Sequence, residues 1–181
     1  MSLRMKTYTD YDLAHLEELQ RVVCTNFRPK ESHRTRMFNI VAGIGFEVFA
    51  LVMLIRQKVP AAIFFMLFGA FMVTRGILFY RFLALGVRQR MDKAVNGSEY
   101  ILEKSYMLVI NSRGSNQYSY SRCDRLLETE NNIYFILEGG QGLLLDKNNL
   151  KGGSVEELRA WMGEKCQKSI EWVGKPRKEE K

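Results

Sequence analysis

Residues 38–55 and 61–80 form two nearly unbroken apolar runs, each carrying one charge, Glu47 in the first and Arg75 in the second. At about 1.5 Å of rise per residue the first extends roughly 27 Å as a helix and the second about 30 Å, close to the roughly 30 Å of a bilayer's hydrocarbon core. The polar stretch Arg56-Gln57-Lys58-Val59-Pro60 between them is short enough to force an antiparallel hairpin. A chain of 181 residues could not cover two such uniformly apolar helices in water. The pattern therefore predicts a transmembrane hairpin with spans 38–55 and 61–80. The second helix is expected to run on through Leu83-Ala84-Leu85-Gly86-Val87 towards the stop at Asn96-Gly97.

Upstream, residues 3–9 read as a short strand. Leu13, Leu16, Leu19 and Val23 then recur at helical spacing. Thr9 is the expected cap, Asp10 and Asp12 suit the positive end, and Pro29 closes the helix. Its polar face is acidic (Asp12, Glu17, Glu18), so it is expected to pack on its own domain rather than lie on a membrane surface, where Lys and Arg prevail.

From Ser98 the period shortens to that of strands. Candidate strands are 100–104, 106–110, 118–121, 125–129, 133–137 and 143–145, with turns at 111–114, 131–132 and 139–142. This predicts an antiparallel β-meander of about five or six strands. Ser154-Val155-Glu156-Glu157 is a capping box. It opens a helix that places Val155, Leu158, Trp161, Met162 and Cys166 on one face, suited to covering the sheet. Sheet plus C-terminal helix outlines a pleckstrin-homology-like fold, and a fragment from Asn96 is expected to fold alone. The fold class is thus an α+β membrane protein. The expected pieces are an N-terminal cytosolic segment 1–37, a hairpin with cytosolic extension 38–95, a β/α domain 96–168 and a charged tail 169–181.

Charge orients the hairpin. The chain has 27 Lys and Arg against 20 Asp and Glu, a formal net charge of +7. Arg28, Lys30, Arg34 and Arg36 precede the first span and Arg81, Arg88, Arg90 and Lys93 follow the second, against Arg56 and Lys58 in the turn. Positive residues stay inside, so both termini are expected in the cytosol of a multi-pass cell-membrane protein. Arg34, Arg36, Arg88, Arg90 and Lys93 are candidate contacts for anionic lipid headgroups. Nucleic acid is not expected, because no aromatic and basic interleaving marks the β segment. Residues 1–9 contain Arg4 and Lys6 but no apolar core, so the first span is expected to serve as its own targeting signal.

Chemistry is sparse. His15 and His33, the two histidines, belong to no HExxH pattern. Gly139-Gly140-Gln141-Gly142 lacks the Lys-Ser/Thr pair and helix start of a phosphate loop and reads as a hairpin turn. Ser119 and Ser121 have no neighbouring His or Asp to suggest a triad. The three cysteines, Cys24, Cys123 and Cys166, are far apart in sequence without a CxxC pair, and are read as reduced and structural. No enzymatic activity, cofactor or metal is expected. Glu47 and Arg75 are the exceptions to an otherwise apolar hairpin. A charge inside a bilayer costs about 2.5–3.5 kcal/mol on insertion scales, so the expectation is an intramembrane polar pair, despite a depth mismatch of roughly 9 Å, or a polar contact in helix association, with snorkelling of Arg75 to the cytosolic headgroups as the other option. Gly43 and Gly45 would allow close helix approach.

Two spans followed by Tyr118-Ser119-Tyr120-Ser121, Glu128, Asn132-Ile133-Tyr134-Phe135-Ile136-Leu137, Leu143-Leu144-Leu145-Asp146-Lys147 and Ser154-Val155-Glu156-Glu157-Leu158 resemble the YcxB-like family of bacterial membrane proteins. The resemblance covers about 95–168. It departs at Asp146-Lys147, where the family pattern often has a proline before the lysine, which affects a turn. It implies a pleckstrin-homology-like cytosolic domain on a hairpin anchor and no established activity. The expected function is a membrane-anchored binding or scaffold module whose partners are the anionic bilayer and a cytosolic protein, with a homo-oligomer also allowed. The alternative is a small oligomeric transporter or channel subunit using Glu47.

Overall fold

The computed structural model describes residues 5–91, 96–138 and 141–174. Two compact units divide the chain: Met1–Asp12 with Asp92–Lys181, and Leu13–Met91.

The first unit is built from two four-stranded sheets. One contains β1 (Lys6–Asp10), β2 (Gly97–Leu102), β3 (Tyr106–Asn111) and β4 (Gly114–Ser119), antiparallel and in that order. A 3₁₀ turn, Tyr120–Arg122, leads into the second sheet, ordered β7 (Gly142–Asp146), β6 (Asn132–Leu137), β5 (Cys123–Glu128) and β8 (Ile170–Trp172). β8 runs parallel to β5, since helix α5 (Val155–Cys166) intervenes in the chain. Tyr100 and Met107 of one sheet, Leu126, Phe135 and Leu145 of the other, and Leu158 and Met162 of α5 share one core.

The single expected meander is therefore corrected in three respects. The strands divide between two sheets, β8 joins after the helix, and β1 comes from before the hairpin. Lys6 pairs with Ile101, Thr7 with Tyr100 and Thr9 with Ser98. β1 also ties the two sheets together. Thr7 Oγ1 donates to the Asp146 carbonyl, and Thr9 Oγ1 donates to the Leu144 carbonyl at 2.8 Å while accepting from the Asp146 N–H at 3.0 Å. Thr9 is thus a buried strand residue, not a helix cap. Its hydroxyl serves β7, because a buried backbone group left unpaired is costly.

The capping box forms as expected. Ser154 Oγ accepts from Glu157 N–H at 3.1 Å, and Ser154 N–H donates to Glu157 Oε2 at 2.8 Å. Leu158 and Met162 are the side chains that α5 buries completely. Trp161 is half-buried at the margin, its Nε1 donating to the Tyr120 hydroxyl at 3.4 Å.

The second unit is all helix: α1 (Leu13–Phe27), α2 (Pro29–Ile55), α3 (Val59–Ile77) and α4 (Phe79–Arg90). Pro29 ends α1 and opens α2 as its first residue, where its missing N–H costs nothing. α1 packs along α4. α2 and α3 are long and apolar enough to cross a membrane. α2 reaches back past the apolar run to Pro29. The second expected helix breaks at Leu78, where α3 gives way to α4.

The α2–α3 hairpin has small residues inside and large apolar ones outside. Gly43 and Ala50 of α2 and Ala62, Gly69 and Gly76 of α3 are buried, whereas Phe38, Val41, Ile55, Phe64 and Leu67 are at least half exposed. The α3 residues recur every seven positions, the heptad spacing of helices that supercoil closely. A Cβ on Gly43 would lie 2.8 Å from the Gly69 carbonyl oxygen, and one on Gly69 would lie 2.9 Å from that of Gly43. Gly69→Val should therefore separate the helices and lower the thermal stability of the detergent-solubilised protein, while Gly45→Val, with nothing near its Cβ position, should not. Equal melting of both variants would refute the glycine contact.

Candidate functional site

A buried polar cluster of the β domain sits where β5, β7 and α5 converge. Glu128 ends β5, Lys147 follows β7, and Arg159 lies one turn into α5. Glu128 is 4 % exposed, so its charge has to be met locally. Lys147 Nζ donates to Oε1 at 2.8 Å, Arg159 Nε to both oxygens at 2.9 Å and Arg159 NH2 to Oε1 at 2.6 Å. Burial alone would raise the Glu128 carboxyl, but these hydrogen bonds and charges outweigh it and hold the group below the ordinary carboxylate value. Glu128 in turn raises Arg159. Lys147 also donates to the Thr129 carbonyl and sits 5.7 Å from the Trp172 ring centroid.

Beside the cluster opens a cavity of about 420 Å³ lined by Glu128, Arg159, Ile170 and Trp172. A carboxylate saturated by two cations is a poor base. The cavity instead offers an indole and an aliphatic wall, with Arg159 and its remaining donors at the side, which suits binding rather than bond-making. Among the described residues, no group of three or more His, Cys, Asp or Glu is placed to hold a metal. Cys123 and Cys166, distant in sequence, come together in the core. The hydrogen bond to Cys123, with burial, pushes the Cys166 thiol up.

In the hairpin, the structure does not bring Glu47 and Arg75 together. Glu47 is half-buried, with Oε1 2.8 Å from where Gly69 would carry a Cβ. Arg75 is exposed six residues further along α3, about 9 Å of rise away. It lies two turns beyond Phe68, which packs edge-on against Phe46 at 4.9 Å, on the flank away from Glu47. Of the expected glycines, Gly43 is in the contact and Gly45 is not. Gly69 and Gly76 were not singled out, although their heptad spacing from Ala62 was available as a signal.

Of the expected headgroup residues, Arg34, Arg88 and Arg90 are exposed, and Lys93 lies outside the described residues. Arg36 is half-buried, its guanidinium carbon 5.2 Å from the Tyr80 ring centroid and NH1 donating to the Tyr80 hydroxyl at 3.4 Å. Among the described residues, the β domain's Lys6, Arg125, Lys147, Arg159 and Lys165 are paired with carboxylates, whereas Arg28, Lys30, Arg34, Arg36, Arg75, Arg81 and Arg90 are not.

Comparison with known families places residues 102–162 in a match to the model described as YcxB-like protein. The match runs from the end of β2 into α5 and leaves out β1 and the hairpin. No curated protein and no solved structure matches the chain significantly.

Proposed function

We propose that the chain is a non-catalytic binding module held at the cytosolic face of the cell membrane by its helical hairpin. The observation that carries this reading is the β1–β2 ladder. Strands from before and after the hairpin belong to one sheet, which supports an even number of crossings with both flanks on one side. The large apolar side chains on the outside of α2 and α3 support lipid as their surroundings. The basic residues without carboxylate partners support an anionic surface beside them, each worth about 1 kcal/mol near such a membrane.

The β domain carries the recognition role. Four strands, then three, then a helix is the succession of a pleckstrin-homology-like fold, here with the hairpin inserted after the first strand and β8 added at the end. The cavity beside Arg159 and Trp172 is the place we assign to a cytosolic partner. Reporter fusions at residue 57 and after residue 174 should read outside and cytosol, and the protein should resist carbonate extraction. A cytosolic signal at residue 57 would overturn the anchor. Ion-driven flux through reconstituted protein, abolished by Glu47→Gln, would replace this reading with the transporter.

A further inference from the structure

Glu47 lies midway along the first apolar run, and the hairpin offers it nothing to bind. No other polar side chain occurs between Ile40 and Ile55, and none between Ile63 and Val73. Among the described residues the Glu47 carboxyl has no hydrogen bond or ion pair, and Arg75 stands on the flank of Phe68 and Phe46. Glu47 Oε1 lies 2.8 Å from where Gly69 would carry a Cβ. The side chain is only partly buried. In hydrocarbon neither water nor a lipid tail can satisfy it, so the partner has to be another protein group at the same depth.

We propose that this partner is Glu47 of a second copy, so that the hairpins pair in the membrane about a twofold axis along its normal. The proposal rests on the membrane reading above. Such an axis sets each residue opposite its own mate at one depth, which removes the mismatch that separates Glu47 from Arg75. Two Glu47 side chains meeting there supply each other with the hydrogen-bonding partner that neither finds in its own hairpin. The flank is suited to contact. Ile44, Glu47 and Leu51 form one stripe, with Ile44 53 % and Leu51 57 % exposed. The opposite stripe, Ala42, Gly45 and Phe49, borders a separate apolar notch that also takes in Phe46 and Phe65 and carries no polar group to direct a partner.

The test uses the full chain in vesicles of phosphatidylcholine with a minor share of phosphatidylglycerol. Subunit counting and energy transfer, read as a function of protein-to-lipid ratio, should show a dimer. Glu47→Leu should weaken it about threefold to twentyfold, the range of single intramembrane hydrogen bonds. Glu47→Gln, which keeps a hydrogen-bonding pair, should retain most of it. Oxidative crosslinking above the background of the native cysteines should join copies through Ile44→Cys and Leu51→Cys but not Phe49→Cys. Wild-type protein that is inserted yet single, a Glu47→Leu variant that pairs as tightly as wild type, or crosslinking through Phe49→Cys in place of Leu51→Cys would each overturn the pairing. Release of the wild type by carbonate would overturn the membrane reading, and the pairing with it.

Discussion

Residues 96–174 made alone will not reach a stable fold, whereas the same segment with residues 5–11 joined ahead of Asn96 through a short glycine-serine linker will. The expectation that a fragment from Asn96 suffices is revised by β1. Without β1 the fragment loses the whole β1–β2 ladder, the Met5 side chain from the core, and the two threonine hydroxyls that satisfy the Leu144 and Asp146 backbone of β7. Truncating a buried methionine costs about 2–5 kcal/mol, and each buried polar group left unmet costs about 1–3. Together these rival the roughly 5–15 kcal/mol that holds a domain folded. The joining is geometrically mild, because Tyr11 N–H donates to the Asn96 carbonyl at 2.8 Å. Cooperative thermal unfolding and dispersed amide spectra should appear for the joined form and be absent from the fragment. Equal melting of the two would show that β1 is an ornament on a complete domain.

Glu128→Ala should be the most damaging single change in the joined domain. It removes one carboxylate and strands two cations, of which Lys147 has a side chain 7 % exposed. Breaking a buried pair from one side costs about 3–5 kcal/mol, because the remaining charge is left uncompensated. Glu128→Leu combined with Lys147→Met should recover part of the loss, which denaturant unfolding would read as non-additivity. The same carboxylate sets an acid limit. Its folded value lies below its unfolded one of about 4.3. The stabilisation is therefore complete above the unfolded value and disappears as pH falls through the folded one. Wild type should lose stability in that acid window, and Glu128→Gln should show a flatter profile there. An unchanged slope in the variant would mean that other carboxyls set the limit.

The parts legible in the sequence are those whose cause is local. The hairpin announces itself through two apolar runs and a polar turn. α5 announces itself through Ser154 and Glu157, three residues apart and bonded to each other. The turn at Asn111 to Gly114 likewise separates two strands that pair directly. What escaped is long-range. β1 is five residues with an alternating exposed and buried pattern, and its ladder partner lies beyond four helices. The Glu128 cluster gathers residues from three elements that no spacing connects. The placement of Glu47 and Arg75 on different flanks was likewise not legible, since opposite charges in a sequence do not reveal which flank of each helix they occupy.

The insertion of the hairpin between β1 and β2 orders events during synthesis. β1 leaves the ribosome early and waits for a mate that arrives after residue 96. If the chain between them were loose, closing so long a loop would cost about 4 kcal/mol in entropy before any ladder formed. With α2 and α3 zipped and α1 lying along α4, that loop is already drawn shut. Hairpin formation thus comes before completion of the sheet. If the hairpin is the anchor proposed above, a chain left out of the bilayer keeps β1 and β2 apart and exposes an unclosed sheet to proteolysis.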